Sequence, residues 1–527
     1  MGVFEVVVTL LLAGVVLAAI ARRIGAPYPA LVALAGAALA LIPGVPEMVL
    51  DPELALALFV APVLVDAAFD ASPRDLQANW RQIASLALGA VILTVAAVAF
   101  VARLLVPEMP WSVAIALGAI VAPPDAAAAT AVLKQLRPPH RLLVILEGES
   151  LFNDASALLI YRLAVGAVAA GGFSLAAVAP AFLFAVVGSV IVGPALGWIV
   201  IRLSDRVRDV PTAIILQFVS TFGVWILADK IGLSGVLTMV CFAITTARTA
   251  PERVAARIRI PSYAVWETVV FLLNVLAFAF IGLQLRPILE TLEPAARGRY
   301  AAVAAAVLVT VIVVRIVWHM SFNYVIRWRD RRFGFHPPRP MLRPTIGSGL
   351  VISWSGMRGI VTLAAALALP AGFPFRDLIV LTAFSVVLGT LALQGLTLGP
   401  LLRALNLRDE DPVGHEVAAA RARALRAGLA ELDDDPSAVA DVVRQEFAAH
   451  LGAHHATPEQ GEARRAAHRD THCRALGAAR HAILTMRSND EIGDDAFHRV
   501  EEELDWIEMS AGAEEEAEAE AAAEKDQ

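Results

Sequence analysis

At 527 residues the chain could hold three or four soluble domains of roughly 150 residues each, but 58% of it is hydrophobic and only 18% charged, with a mean hydropathy of +0.66, against about 25% charged in a soluble domain. That composition excludes a string of ordinary soluble domains and points to an all-α polytopic membrane protein. The net charge of −7 is unevenly spread, acidic after residue 408 and arginine-rich between the apolar runs, so a globally basic nucleic-acid binder is excluded, and Cys241 and Cys473 lie too far apart in sequence for a disulfide framework or a CxxC metal site.

A transmembrane helix needs about 20 mostly apolar residues to cross about 30 Å of hydrocarbon. Cutting the chain wherever charges or Pro/Gly clusters interrupt the apolar runs predicts thirteen spans, near 2–21, 28–43, 53–71, 80–105, 112–133, 141–165, 175–202, 210–229, 231–248, 262–285, 300–326, 346–369 and 377–402. The first lacks a basic leader and a small-residue cleavage site, and Arg22 and Arg23 follow it, so it reads as a retained helix. Cytoplasmic loops keep their Lys and Arg. Odd-numbered spans are followed by Arg22 and Arg23, Arg74 and Arg81, Lys134 to Arg141, Arg202 to Arg208, Arg248 to Arg259 and Arg327 to Arg343; even-numbered ones are followed by Lys230, Arg286, Arg297, Arg299 and Arg376 alone. The alternation predicts an N-terminus outside and a C-terminus in the cytoplasm.

From about residue 403 the chain becomes rich in Arg, Glu and Ala, predicting a cytoplasmic helical domain over 403–510 with a last helix near 494–509, then a disordered acidic tail over 511–527. The histidines at 450, 454, 455, 468 and 472, with Cys473, match no metal-ligand spacing and read as a histidine-rich surface.

Ionisable residues inside spans are costly and mark pathways or paired structural sites. Span 3 carries Asp66, span 5 Asp125, span 6 Glu147, Glu149 and Asp154, and span 12 Arg358; Arg162 and Arg315 read as snorkelling to the interface, without an assigned role. Pro123 and Pro124 must interrupt span 5 just before Asp125. Such a break is tolerated in hydrocarbon only when buried in protein or lining a wet cavity, and its freed carbonyls, with the carboxylate, suit a hard monovalent cation. On span 6, Ser150 and Asp154 form one i, i+4 row and Glu149 and Asn153 the adjacent one, so one row can coordinate an ion while the other supports it. A buried carboxylate there holds a proton or a cation, and not comfortably both. Span 12 is weakened by Ser353, Ser355, Gly356 and Gly359 around Arg358. Interrupted spans 5 and 12, crossing in opposite directions, are the pattern of an inverted-repeat transporter with its site at the midplane. Arg358 needs an anionic partner, and Glu149 is the expected one.

At these residues the sequence resembles bacterial members of the monovalent cation:proton antiporter-1 family, the sodium/proton exchangers, over about 1–400. The resemblance rests on APPDAAAAT (122–130), EGESLFNDASALLIY (147–161), WETVVFLLN (266–274), FIGLQL (280–285) and SWSGMRGIVTL (353–363). It implies a thirteen-helix inverted-repeat fold, a homodimer in the bacterial plasma membrane, no cofactor beyond the transported ions, and one-for-one exchange of Na+ or a similar ion for H+. By position, Asp125 and Asp154 resemble the ion- and proton-binding carboxylates, Ser150 a further oxygen ligand, Asn153 the supporting asparagine, and Glu149 with Arg358 the stabilising ion pair. Asp66 stands where many members have glutamate, and Pro124 where some have threonine. The expected function is a secondary antiporter in which cation and proton compete for Asp154. The rivals are a cation channel, a cation-coupled solute carrier and, without HExxH or GxSxG motifs, an intramembrane protease.

Overall fold

A computed structural model describes residues 3–24, 26–43, 52–125, 128–130, 133, 138–169, 175–336, 343–407, 412–433, 436–453 and short pieces between 474 and 506. The chain forms two compact units, Met1–Asp411 and Pro412–Gln527. All regular structure among the described residues is helical.

In the first unit α1 is Val3–Ile24 and α2 Tyr28–Ala40; α3 spans 52–70, with a π turn at Leu56–Val60, and α4 spans 73–105, with another at Ser85–Ala90. Helix α5 is Trp111–Val121, α6 His140–Ala169, α7 Leu175–Ser204, α8 Val210–Lys230 and α9 Gly235–Arg253. Helix α10 is Ala256–Leu283, extended by the turn Leu285–Thr291, and α11 is Arg297–Phe333. Two short helices follow, α12a (Ile346–Trp354) and α12b (Ile360–Leu367), then α13, Arg376–Leu405. Seven of the described helical stretches are long and apolar enough to cross a membrane by length and composition alone; α2, α5, α9 and the Leu56–Phe69 part of α3 are apolar but shorter.

Helix starts obey local chemistry. Asp209 accepts from the Thr212 amide at 3.0 Å at the head of α8, and Thr212's hydroxyl and amide hold the Asp209 carboxyl below the usual carboxylate range. Ser234 caps α9 through the Leu237 amide, and Thr345 and Ser348 form a reciprocal capping box on α12a. Helix α4 begins at Pro73, well before its apolar run, because Ser72 caps it and Pro73 sits at its first position. Span 12, expected to be weakened by the Gly and Ser residues around Arg358, is split into two helices at 355–359.

Two apolar clusters carry the packing. One joins Leu117, Ile120 and Val121 of α5 to Leu363 and Ala366 of α12b, Ile379 and Val386 of α13, and Val307 and Val311 of α11. The other joins Val60 and Leu64 of α3, Leu151 of α6, Trp225 of α8, and Met239 and Phe242 of α9. Helices α2 and α10 cross closely, since a Cβ on Gly36 would meet the Ala279 carbonyl oxygen at 2.6 Å and one on Gly282 the Ala33 oxygen at 2.3 Å. Backbone contact through small residues is how helices associate when lipid removes the hydrophobic drive. On α11, Val309, Val313 and Val317 form an exposed stripe while Arg315, His319 and Asn323 lie buried on another face, the inverse of a water-soluble helix.

The second unit contains α14 (Pro412–Glu431) and α15 (Ala438–Ala453), which pack together, with Gly428 against the Phe447 ring. Most of the helix expected over 494–509, the acidic tail, and positions 454, 455, 468, 472 and 473 lie outside the described residues.

Candidate functional site

The site forms where two helix breaks meet. Helix α5 stops at Val121, backbone at 123–125 is non-helical, and 128–130 are helical again. Opposite it, α12a and α12b leave 355–359 out of helix. The breaks are stitched together by the Asp125 amide, which donates to the Met357 carbonyl at 2.7 Å. Arg358, 1% exposed, threads between them, its Nε donating to Val121 O at 3.0 Å, its Nη2 to Ala122 O at 3.1 Å and its Nη1 to Gly356 O. A helix C-terminus leaves orphan carbonyls of negative partial charge, and the guanidinium, with its five fixed donors, satisfies those of α5. The Arg358 amide is itself held by Thr390 Oγ1 at 3.0 Å.

The expected partnership of Arg358 with Glu149 is corrected by this geometry. Glu149, 1% exposed, takes a bidentate pair from Arg315 of α11, at 2.6 and 2.8 Å. Arg315 also donates to Ile352 O of α12a at 3.2 Å, so one buried pair ties α6, α11 and α12a. Arg358 is committed instead to the carbonyls that the prolines release. Arg315, read from sequence as a snorkelling residue, is 3% exposed. Its signal was the i, i+4, i+8 polar row Arg315, His319, Asn323, which marks one helix face as protein-facing.

The rows on α6 separate as their spacing implies. Asn153, fully buried, donates from Nδ2 to Pro124 O at 3.1 Å and so braces the α5 break. Ser150 and Asp154 turn instead to a cavity of about 340 Å³. The same cavity is lined by Asp66 of α3, Asp125, Thr130 and Glu147, by Glu267 and Asn274 of α10, by Tyr28 of α2 and by Thr362 of α12b. It therefore brings together Asp66, Asp125, Ser150 and Asp154, while Glu149, Asn153 and Arg358 stand behind its wall. Asp154 is only 7% exposed. Asp125 abuts the head of α12b: a Cβ on Gly359 would lie 1.5 Å from its Oδ2, so a side chain there has no room. The site holds converging carboxylate and hydroxyl oxygens, the donor set of a hard cation, and among the described residues no group of three or more His, Cys, Asp or Glu is arranged as a metal site. Glu267 and Asn274 lie within a motif that carried the family resemblance, but hydropathy gave no sign that they face a cavity.

Residues 7–404 match the sodium/hydrogen exchanger family of transmembrane proteins. An uncharacterised Na(+)/H(+) exchanger of Mycobacterium tuberculosis is 31% identical, the alignment covering 96% of this chain and 95% of that one. A sodium, potassium, lithium and rubidium/H(+) antiporter of Bacillus subtilis is 32% identical over 67% of this chain and 54% of its own length. Among solved structures, the sodium proton antiporter MjNhaP1 of Methanocaldococcus jannaschii shares the fold, with a TM-score of 0.61 at 17% identity, covering 78% of this chain and all of that one. With a match over most of its length and these relatives, the chain belongs to the sodium/hydrogen exchanger family of multi-pass membrane proteins.

Proposed function

We propose that the protein is a secondary antiporter exchanging Na+, or another monovalent cation such as K+ or Li+, for H+ across the bacterial plasma membrane. The observation that carries this reading is the cavity in which Asp154 and Asp125 converge beside the paired helix breaks. Cation and proton compete for Asp154: a cation arriving from one side displaces its proton, and after the cavity opens to the other side a proton displaces the cation. Asp125 has a different part. Its carboxylate sits at the N-terminus of α12b, where oriented amides favour a fixed negative charge, so it neutralises the cation without cycling a proton. One exchanging carboxylate gives electroneutral exchange. Ser150 and Asp66 supply further oxygens, Asn153 braces the break, and Arg358 and the Glu149–Arg315 pair hold the scaffold. The cation is cargo, not a resident cofactor. The reading includes thirteen crossings in two inverted halves, a homodimer, an N-terminus outside and a cytoplasmic C-terminal unit. The relatives, sodium/proton exchangers by name, support the ion class, and the Bacillus subtilis relative, a sodium, potassium, lithium and rubidium/H(+) antiporter, supports breadth among alkali cations.

The test is internal pH in proteoliposomes of the purified full chain on addition of Na+, K+ or Li+. Cation-driven proton movement in the wild type, lost in Asp154→Asn while that variant still folds, is expected. Current without coupled proton movement indicates a channel, and unchanged exchange in Asp154→Asn overturns the assignment of the competing carboxylate.

A further inference from the structure

We propose that Thr362 of α12b supplies a cation-binding oxygen to the exchange site and helps set its cation preference; this rests on the antiport reading above. Thr362 lines the same cavity as Asp125, Ser150 and Asp154. It is 1% exposed, and its Oγ1 has no hydrogen-bond partner among the described residues.

Buried hydroxyls in helices ordinarily satisfy themselves by bonding back to the carbonyl four residues earlier. This protein does so repeatedly: Thr245, Thr310, Thr382 and Thr390 donate to Cys241, Ala306, Leu378 and Val386 respectively, at 2.7 to 2.8 Å. Thr362 is denied that partner by its position. Four residues before it is Arg358, in the unwound segment ahead of α12b, whose carbonyl does not point along a helix. The break that creates the site thus also frees a hydroxyl beside it. Leaving a buried hydroxyl unsatisfied is costly, and such groups in native structures call for a ligand, water or ion that completes them.

Placement favours the cation. Thr362 lies three residues beyond Gly359, whose Cα touches the Asp125 carboxylate, and so in the first turn of α12b. Thr362 of α12b and Ser150 of α6 each bring a hydroxyl-bearing side chain to the lining of the cavity that the carboxylates share. A neutral oxygen with two lone pairs replaces part of an alkali ion's hydration shell without adding charge, so its effect falls on affinity and on discrimination among ions of different size.

The experiment compares wild type, Thr362→Val and Thr362→Ser in proteoliposomes, reading half-saturating concentration and maximal rate for Li+, Na+ and K+, with melting temperature in cation-free detergent. Valine keeps the shape and removes the oxygen, and serine keeps the oxygen. The expected result is a rise of about tenfold in half-saturating cation concentration for Thr362→Val, the loss of one good ligand, unequal among the three ions. Its maximal rate stays within about twofold and its cation-free melting temperature does not fall, because an unsatisfied buried hydroxyl has been removed. Thr362→Ser stays near wild type. Should the valine variant be unstable, Thr362→Ala against Thr362→Ser asks the same question. Wild-type affinity and ion order in the oxygen-free variants overturn the proposal. A wild type that exchanges no cation for protons overturns the antiport reading and the proposal with it, a result distinct from exchange that ignores Thr362.

Discussion

Arginine is the residue on which both the scaffold and the site turn, and Arg315 and Arg358, both buried, have different work. Arg315 is paired bidentately with Glu149, whereas Arg358 binds backbone carbonyls at the α5 break. Removing one member of a buried pair strands an uncompensated charge and costs about 3–5 kcal/mol, while removing both costs much less than the sum. Glu149→Gln and Arg315→Met singly should therefore lower the melting temperature in detergent sharply, and the double variant should recover much of the loss; the Glu149→Gln, Arg358→Met combination should come closer to additivity. Equal coupling in the two combinations would return Arg358 to the partnership the sequence suggested. Gly359 makes a sharper demand on the site itself. A methyl there would overlap the Asp125 carboxylate at 1.5 Å, so Gly359→Ala must displace Asp125 or the α12 break. Exchange in proteoliposomes should fall at least tenfold, a misplacement of about 1 Å at a site being worth roughly a hundredfold, while the protein still purifies as a folded species.

Helices were legible in the sequence where composition alone decides them, and less so where contact decides. The Pro123–Pro124 pair announced the α5 break because proline removes donors whatever surrounds it. The α12 break was weaker in sequence, a scatter of Gly and Ser around Arg358, since it depends on Arg358 reaching α5 and on the Asp125 amide reaching Met357. The i, i+4 rows on α6 told which side chains share a face and left open which face met the cavity. The partner of Glu149 was hidden because Arg315 is 166 positions away, and only the rotation of α11 about its axis chooses between buried and lipid-facing. Close helix crossings were equally silent. The α2–α10 contact depends on Gly36 and Gly282 facing each other, where the atoms that an added Cβ would meet are backbone and cannot swing aside. Gly282→Ala should accordingly cost about 1–3 kcal/mol or more, the range for overpacking, read as a lowered melting temperature. Gly166→Ala, whose Cβ would meet nothing within 4 Å, should leave it unchanged or raise it slightly, since alanine favours helix. Equal effects at the two glycines would mean that α2 and α10 do not meet as closely as described.

For the molecule as a whole the decisive property is the charge moved per cycle, and the division of labour between Asp125 and Asp154 fixes it. If only Asp154 exchanges its load, each cycle carries one cation one way and one proton the other, and membrane potential has nothing to act on. If Asp125 also releases a proton, each cycle moves a net charge, worth about 2.3 kcal/mol per 100 mV, a shift of roughly fiftyfold in the cation gradient that the exchanger can balance. Two features favour the first case. The Asp125 carboxylate is lodged against Gly359 at the head of α12b, and its amide is tied to Met357 across the break, so its position is fixed by backbone. Asp154 lies on an unbroken helix, its side chain on the cavity wall and 7% exposed. Proteoliposomes loaded with K+ and valinomycin can hold the potential at zero or near −100 mV while Na+ drives proton efflux. The initial rate and the final pH gradient should be the same at both potentials in the wild type. Asp125→Asn should weaken cation binding without introducing voltage dependence, because it removes a fixed counter-charge and not a second proton carrier. A final gradient that moves with potential in the wild type, and becomes insensitive to it in Asp125→Asn, would show instead that both aspartates cycle protons.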